Sequence, residues 1–271
     1  MRNALKEQLD TVIVPFDNSV EASRAKRAAG RRPDAPAVVW TCDAQSVGEQ
    51  AEAPYERQFE GERLESVDER LGYRFVKRAF DIVFSAAVLV LFCWLYAIIA
   101  ILVKVDDPRG PVIFAQERVG KNGRIFKMHK FRSMVVDAEE HLDELQCLNE
   151  KTGPVFKIKD DPRVTRVGKW LRKLSLDELP QFWDVLKGDI SIVGPRPALP
   201  KEVAKYDDYQ RQRLLVKPGI TCYWQTRMNR DSITFDEWVD LDLLYIKQCG
   251  VWADLKLIMQ TVGVVLTAQG S

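Results

Sequence analysis

Hydrophobic residues are spread unevenly along the chain. Residues 1 to about 72 are rich in Ala, Arg, Glu, Asp and Pro, with two apolar runs, Val12-Ile13-Val14 and Val38-Val39-Trp40, that suit short strands. So little clustered apolar surface seldom offsets the entropy of ordering a chain. The pattern predicts a flexible cytosolic extension, with no signal-peptide pattern before it. Then the pattern inverts. Ile82–Val103 runs for 22 residues without a charge, Pro or Gly, about 33 Å as a helix and enough for a bilayer core. A stretch this apolar is either a membrane segment or a buried core helix, and soluble helices rarely stay apolar on every face for so long. Trp94 and Tyr96 lie mid-segment, away from the ends where aromatic belts form. Arg70, Arg74, Lys77 and Arg78 precede it, and Lys104, Arg109, Arg118 and Lys121 follow. That balance gives no orientation and suits a segment that enters and leaves on one side.

Beyond Lys104 short apolar and polar runs alternate. Asp107–Pro111 predicts a turn, Val112–Gln116 a strand, Gly120–Gly123 a hairpin turn and Ile125–His129 the returning strand. Residues 137–150 place Leu142, Leu145 and Leu148 on one helical face, and Val167–Leu174 reads as a short basic helix. Leu179, Phe182, Trp183 and Leu186 form an apolar face that ends at Gly188. Ala204–Leu215 suits a charged helix. Two amphipathic segments follow, one with Trp238, Leu241, Leu244 and Tyr245, the other with Trp252, Leu255, Ile258, Met259 and Val262. Their spacing serves core packing or, beside a membrane segment, an interfacial helix.

Charge narrows the chemistry. Forty basic residues against 39 acidic ones leave a net charge of +1, with no nucleic-acid signature and no nucleic-acid partner expected. Five dispersed cysteines form no CxxC pair, which argues against a zinc site or a disulfide framework. With only His129 and His141, carboxylates are the better place to look for catalysis.

The densest stretch is Arg172–Pro197. Ser175-Leu176-Asp177-Glu178 matches a capping box, but with Ser175 as N-cap Pro180 falls at N5 and forfeits a helical bond. With Asp177 as N-cap Pro180 sits at N3, where no backbone donor is needed. Either register puts both carboxylates at the positive end of a helix dipole, which favours their ionised forms and attracts phosphate. A deprotonated carboxylate can attack phosphorus, while a neighbour holds a divalent cation. The pair could equally be a plain helix cap. Its surroundings favour chemistry. Lys130 and Arg132 flank Phe131 in Lys130–Met134, on one side of a strand and able to grip a diphosphate. Arg196 sits between two prolines on a stiff backbone. Lys159, Arg163, Arg166, Lys169, Arg172 and Lys173 add a basic run, either a solvated face or an anion funnel.

These motifs, in this order, resemble the bacterial sugar transferase family, the monotopic polyprenyl-phosphate phosphoglycosyl transferases. The resemblance covers roughly residues 74–266. It includes Lys77–Asp81, Gly110–Phe114, Gln116–Gly120, Lys130–Met134, Asp160–Arg163, Leu176–Gln181, Gly188–Pro197, Lys217–Thr221 and Trp252–Leu257. It implies an α+β, mainly helical protein in which, after the polar extension over 1–72, a membrane-embedded re-entrant helix spans 73–104 and a cytosolic catalytic domain with amphipathic interfacial helices spans 105–271. It also implies transfer of a sugar 1-phosphate from a UDP-sugar, here a hexose donor, to undecaprenyl phosphate with release of UMP. That step would initiate exopolysaccharide synthesis at the cytoplasmic face of the bacterial inner membrane. By the family's motif Asp177 is the nucleophile and Glu178 the Mg²⁺ ligand. Lys130, Arg132, Arg172, Asp189, Arg196 and Asp242 are carried over as substrate contacts. Membrane lipid is an expected partner, and relatives allow a homodimer. One departure stands out: many members carry Ser-Pro where this chain has Trp94-Leu95, so a bend needs another cause, packing or a break near Ser85. The competing class is a catalytically silent membrane scaffold of a polysaccharide assembly complex, against which the intact Asp177-Glu178 pair speaks.

Overall fold

The computed structural model describes residues 55–64, 67–142, 161–227 and 233–266, the backbone at 12–15 and 38–41, and scattered positions from 145 to 160. They belong to two compact units, one formed by residues 1–54, 137–150 and 156–163, the other by 55–136, 151–155 and 164–271. In the first, β1 (Val12–Pro15) pairs in parallel with β2 (Val38–Thr41), Val12 opposite Val38. These are the two apolar runs of the extension, and their β-branched residues suit strands. Also in this unit, a 3-10 turn at Glu140–Leu142 stands where the leucine spacing predicts a helix over 137–150. Residues 143, 144, 146–148 and 150 of that stretch, and Lys159 of the basic run, lie outside the described residues.

In the second unit the apolar segment is two helices, α1 (Leu71–Leu91) and α2 (Cys93–Asp106), bent by 63° across Phe92. Among the described residues no single helix is long and apolar enough to cross a membrane. The break lies close to Trp94-Leu95 and away from Ser85, which is buried within α1. Packing supplies the cause that a proline would otherwise provide. On α1, Lys77 Nζ and the Tyr73 hydroxyl donate to Asp254 at 2.7 and 2.8 Å. Asp81 accepts from the Ser191 hydroxyl and the Ile192 N–H, each at 3.1 Å. On α2, Ile99 and Val103 are buried with Phe131 and Leu171, and the Tyr96 hydroxyl donates to the Leu179 carbonyl at 2.6 Å. Two arms fastened separately to one domain leave the link at Phe92 to absorb the change of direction. The pair is also inside-out: Asp81 and Ser85 are buried, whereas Phe75, Val83, Val90, Leu91, Ile101 and Val105 are each at least 63% exposed. That excludes the buried-core-helix reading.

The hairpin forms as expected. β3 (Ile113–Val119) and β4 (Ile125–Phe131) are antiparallel, with Ile113 opposite Phe131 and Val119 opposite Ile125. Asn122 and Gly123 both take positive φ in the connection, which is why Asn-Gly recurs in such turns. α3 (Arg166–Lys173) is capped by the Thr165 hydroxyl, which accepts from the Gly168 N–H. Only a glycine fits at 168, since a Cβ there would meet the Ser133 carbonyl oxygen at 2.0 Å; α3 thus lies directly on the end of Lys130–Met134. α4 (Gln181–Lys187) buries Gln181, Asp184 and Val185. Its expected apolar face is turned elsewhere: Phe182 meets Phe84 of α1 with ring centroids 6.0 Å apart, and Trp183 is exposed. The Arg78 guanidinium donates to the Val185 and Leu186 carbonyls at 2.6 and 2.7 Å, satisfying carbonyls that a helix end leaves open.

The remaining elements close the core. β5 (Ser191–Val193) and β6 (Gly219–Thr221) are parallel. After α5 (Pro200–Val203), the expected helix over 204–215 is instead α6 (Asp208–Arg211) and a 3-10 turn at Gln212–Leu215. Asp207 interrupts it by forming its own capping box with Gln210. α7 (Phe235–Gln248) is the central helix, with Trp238, Val239, Leu241, Leu243, Tyr245 and Ile246 all buried. Truncating such a residue to Ala typically costs about 2–5 kcal/mol. α8 (Val251–Leu266) buries Leu257 but exposes Trp252, Leu255, Met259 and Val262. Residues 55–64, within the expected extension, lie against α7: Phe59 is buried, and Asp240 accepts from the Tyr55 hydroxyl and the Gln58 N–H at 2.7 and 3.0 Å. The described residues therefore make an α+β, largely helical protein with three two-stranded sheets.

Candidate active site

Asp177 and Glu178 lie on a 3-10 turn, Leu176–Glu178, that leads into α4. Ser175 is not the cap of a helix: it takes the left-handed conformation, φ 54° and ψ 22°, and its side chain caps nothing. Pro180 precedes α4, which begins at Gln181, so the carboxylates lie one turn ahead of the helix that the capping box predicts. Nearby cations, more than a helix terminus, give this corner its positive field.

Lys130, near the end of β4, places Nζ 2.7 Å from Glu178 Oε1. Arg196 also acts on Glu178 through its charge, and Gln181 bonds it. The Pro-Arg-Pro loop thus lies near enough for its arginine to act on the dyad through its charge. Arg172, on the last turn of α3, exerts its field on Asp177 and donates from Nε to the Ser133 hydroxyl at 3.2 Å. The two carboxyls titrate in opposite directions. Burial pushes Asp177 above the usual range; Lys130 opposes the rise, Glu178 adds to it, and Arg172 opposes it. Burial acts on Glu178 in the same sense, but Lys130 and Arg196 outweigh it and hold Glu178 below its ordinary value. Neighbouring carboxyls driven apart in this way characterise acid and base pairs at reactive sites.

Three candidates sit elsewhere. β4 ends at Phe131, so the alternation that would bring Arg132 beside Lys130 stops one residue short. Arg132 is buried, with Nη1 3.3 Å from the Asp107 carboxylate and Nη2 bonded to the Asp107 carbonyl. Asp189 lies past the far end of α4, 2.9 Å from Lys187 Nζ. Asp242 is fully buried on α7, its Oδ2 accepting from Arg213 Nε at 2.7 Å with Arg213 Nη2 at 2.6 Å. Arg163 of the basic run belongs to the other unit, where it pairs with Asp161 at 2.7 Å.

Sequence reasoning missed two supports. Arg118 is buried, donates to the Pro197 carbonyl at 2.9 Å, and is pushed down to about 10 by burial and by Arg196. Beside it the Val119 N–H donates to the Ala198 carbonyl at 2.9 Å, so the end of β3 carries the Pro-Arg-Pro loop. Arg196 itself lies over Trp238, 5.6 Å from the ring centroid. On β4, His129 binds the buried Asp184. The hairpin is thus a shared rail, with β3 holding the loop and β4 facing the dyad. Only the Gln116–Gly120 motif hinted at the former.

For a divalent cation the described residues offer no cluster of three or more acidic, His or Cys side chains. Two adjacent carboxylates do fit Mg²⁺, which keeps several waters and takes other ligands from substrate phosphates.

The bacterial sugar transferase family model matches residues 72–268. A galactosyl transferase, CpsE, of Streptococcus agalactiae is 48% identical over 195 residues, 72% of this chain and 43% of its own length. The undecaprenyl-phosphate galactose phosphotransferase of Salmonella typhimurium is 42% identical over 203 residues, 73% of this chain and 42% of its own. The exopolysaccharide production protein ExoY of Rhizobium meliloti is 38% identical over 199 residues, 72% of this chain and 87% of its own. The matched part of this chain spans less than half the length of the first two.

Proposed function

Because the chain belongs to the bacterial sugar transferase family, we propose that it transfers a hexose 1-phosphate from a UDP-hexose to undecaprenyl phosphate and releases UMP. The observation that carries this reading is the turn at 176–178: two adjacent carboxyls, tuned in opposite directions, within the field of Lys130, Arg172 and Arg196. In the proposed first step an Asp177 oxygen bonds to the sugar-bearing phosphorus. The bond from that phosphorus to the bridging oxygen breaks, and UMP leaves with the oxygen and its electron pair. In the second step a phosphate oxygen of undecaprenyl phosphate bonds to the same phosphorus and frees Asp177, leaving an undecaprenyl diphosphate sugar. Lys130, Arg172 and Arg196 offset charge on the transferring group. Mg²⁺ would be held by Glu178 together with substrate phosphate oxygens and would neutralise charge on the diphosphate. A covalent intermediate suits a soluble donor and a lipid-bound acceptor, since each can visit the site in turn.

The inside-out apolar pair supports a membrane reading as well. We take α1 and α2 as a re-entrant wedge in the inner membrane, with the catalytic unit on the cytoplasmic face and the exposed residues of α8 at the headgroups. The names of the relatives make UDP-galactose the first donor to try. Purified protein, UDP-galactose, Mg²⁺ and undecaprenyl phosphate should yield UMP. Without the acceptor, intact-mass spectrometry should find a hexose phosphate on Asp177. Failure to release UMP from any UDP-hexose would leave the silent scaffold as the better reading.

A further inference from the structure

Behind the dyad lies a second carboxylate that the proposed reaction does not use. Asp184 of α4 is fully buried, beyond reach of substrate. Its Oδ2 accepts from the His129 main-chain N–H at 2.8 Å, and its Oδ1 lies 2.7 Å from His129 Nδ1. The other charged group facing it is Lys187, at 3.4 Å. A buried carboxylate is costly to keep, and an apolar side chain of similar size could fill the same volume. What an apolar side chain could not do is bind the backbone and the side chain of one strand residue together.

That double grip has a geometric consequence. The sheet has two strands, so the outer edge of β4 offers backbone donors that β3 cannot take. Asp184 captures the one at His129 and also fixes the ring, which sets both the position of β4 along α4 and its rotation. The next residue along the strand is Lys130, whose Nζ lies 2.7 Å from Glu178. Glu178 stands on the turn that leads into the helix bearing Asp184. The two contacts therefore close a small frame: Asp184 to His129 at one side, Glu178 to Lys130 at the other, with strand and helix as rails. A lysine has a long flexible stem, so its charge is placed only as well as its backbone. We propose that Asp184 and His129 are positioning residues that hold the Lys130 ammonium at the 177–178 turn. The inference rests on reading 177–178 as the reacting site.

A double-mutant cycle tests it. His129→Phe keeps the ring volume and the main-chain bond, while Asp184→Leu removes both contacts. If Asp184→Leu does not fold, His129→Phe alone decides the matter. In UMP release from UDP-galactose, His129→Phe should lower kcat about 10-fold with KM for the donor nearly unchanged. In a Lys130→Met background the same change should cost less than about twofold, because residues acting through one contact are not additive. Equal losses in both backgrounds, or no loss in either, would overturn the proposal. Should the wild-type protein release no UMP, the functional reading fails and denaturant unfolding decides the frame. His129→Phe and Glu178→Gln should then couple by about threefold or more in the unfolding constant, and additivity there would sink it.

Discussion

Asp177 and Asp242 are both buried aspartates within the field of an arginine, and the sequence put both forward for the site, yet they are held in different ways. Asp242 has no solvent-exposed surface. Two nitrogens of Arg213 converge on its Oδ2, and Arg213 is in turn bonded to the Tyr206 hydroxyl at 2.9 Å. Burial pushes Asp242 upward against the pull of Arg213; burial also opposes the charge on Arg213, and Asp242 more than offsets it. Asp177 sits on a turn within the fields of Lys130 and Arg172, beside a neighbour, Glu178, that keeps part of its surface open. One aspartate completes a contact already made, while the other stands where an incoming anion would meet cations. Membership of a motif does not distinguish architecture from chemistry; the surroundings do.

Three substitutions sharpen that contrast. Asp177→Asn should reduce UMP release by roughly three orders of magnitude or more without lowering the unfolding temperature. The sign follows from the raised pKa of Asp177: its favourable contribution exists below the unfolded pKa and is lost as pH rises through the folded one, so near neutral pH the ionised carboxylate is a cost. A fall of several degrees would mean that Asp177 supports the fold more than it serves the reaction. Arg213→Met should do the reverse, destabilising the fold by about 3–5 kcal/mol because it strands a buried carboxylate. Denaturant titration in detergent measures this, and an unchanged midpoint would break the comparison. Lys130→Met should have the mildest signature. Lys130 lowers both dyad carboxyls, so without it the acid limb of the pH–activity profile should move to higher pH; an unmoved limb would mean that Lys130 does not govern the pair.

Local rules read much of this from the residues. The hairpin with its Asn-Gly turn, the short basic helix and the apolar stretch at 82–103 followed the alternation and turn chemistry of neighbouring residues. What escaped depends on partners far along the chain. Ser175 looks like a cap, but a left-handed backbone delays the helix until Gln181. Arg132 looks like a twin of Lys130 until Asp107, 25 residues away, takes it. The bend at Phe92 has no proline to announce it, because Asp254, Ser191 and Leu179 set it from outside the segment. Arg118 and His129 carried no marker of their own, as Arg118 works through a backbone carbonyl far along the chain and His129 through the Asp184 carboxylate.

The β3–β4 hairpin has one more consequence, for how the site comes apart. Its edges are sealed by different partners, the Val119 N–H on Ala198 and the His129 N–H on Asp184. A local opening that frees the hairpin must break both, and it withdraws Lys130 from Glu178 and the Arg118 bond from the Pro197 carbonyl in the same event. The Lys130 contact and the β3 support of the Pro-Arg-Pro loop therefore belong to one cooperative opening unit. What such an opening leaves behind is the Pro-Arg-Pro loop, still tied to β6 by the Gly219 N–H on the Pro195 carbonyl.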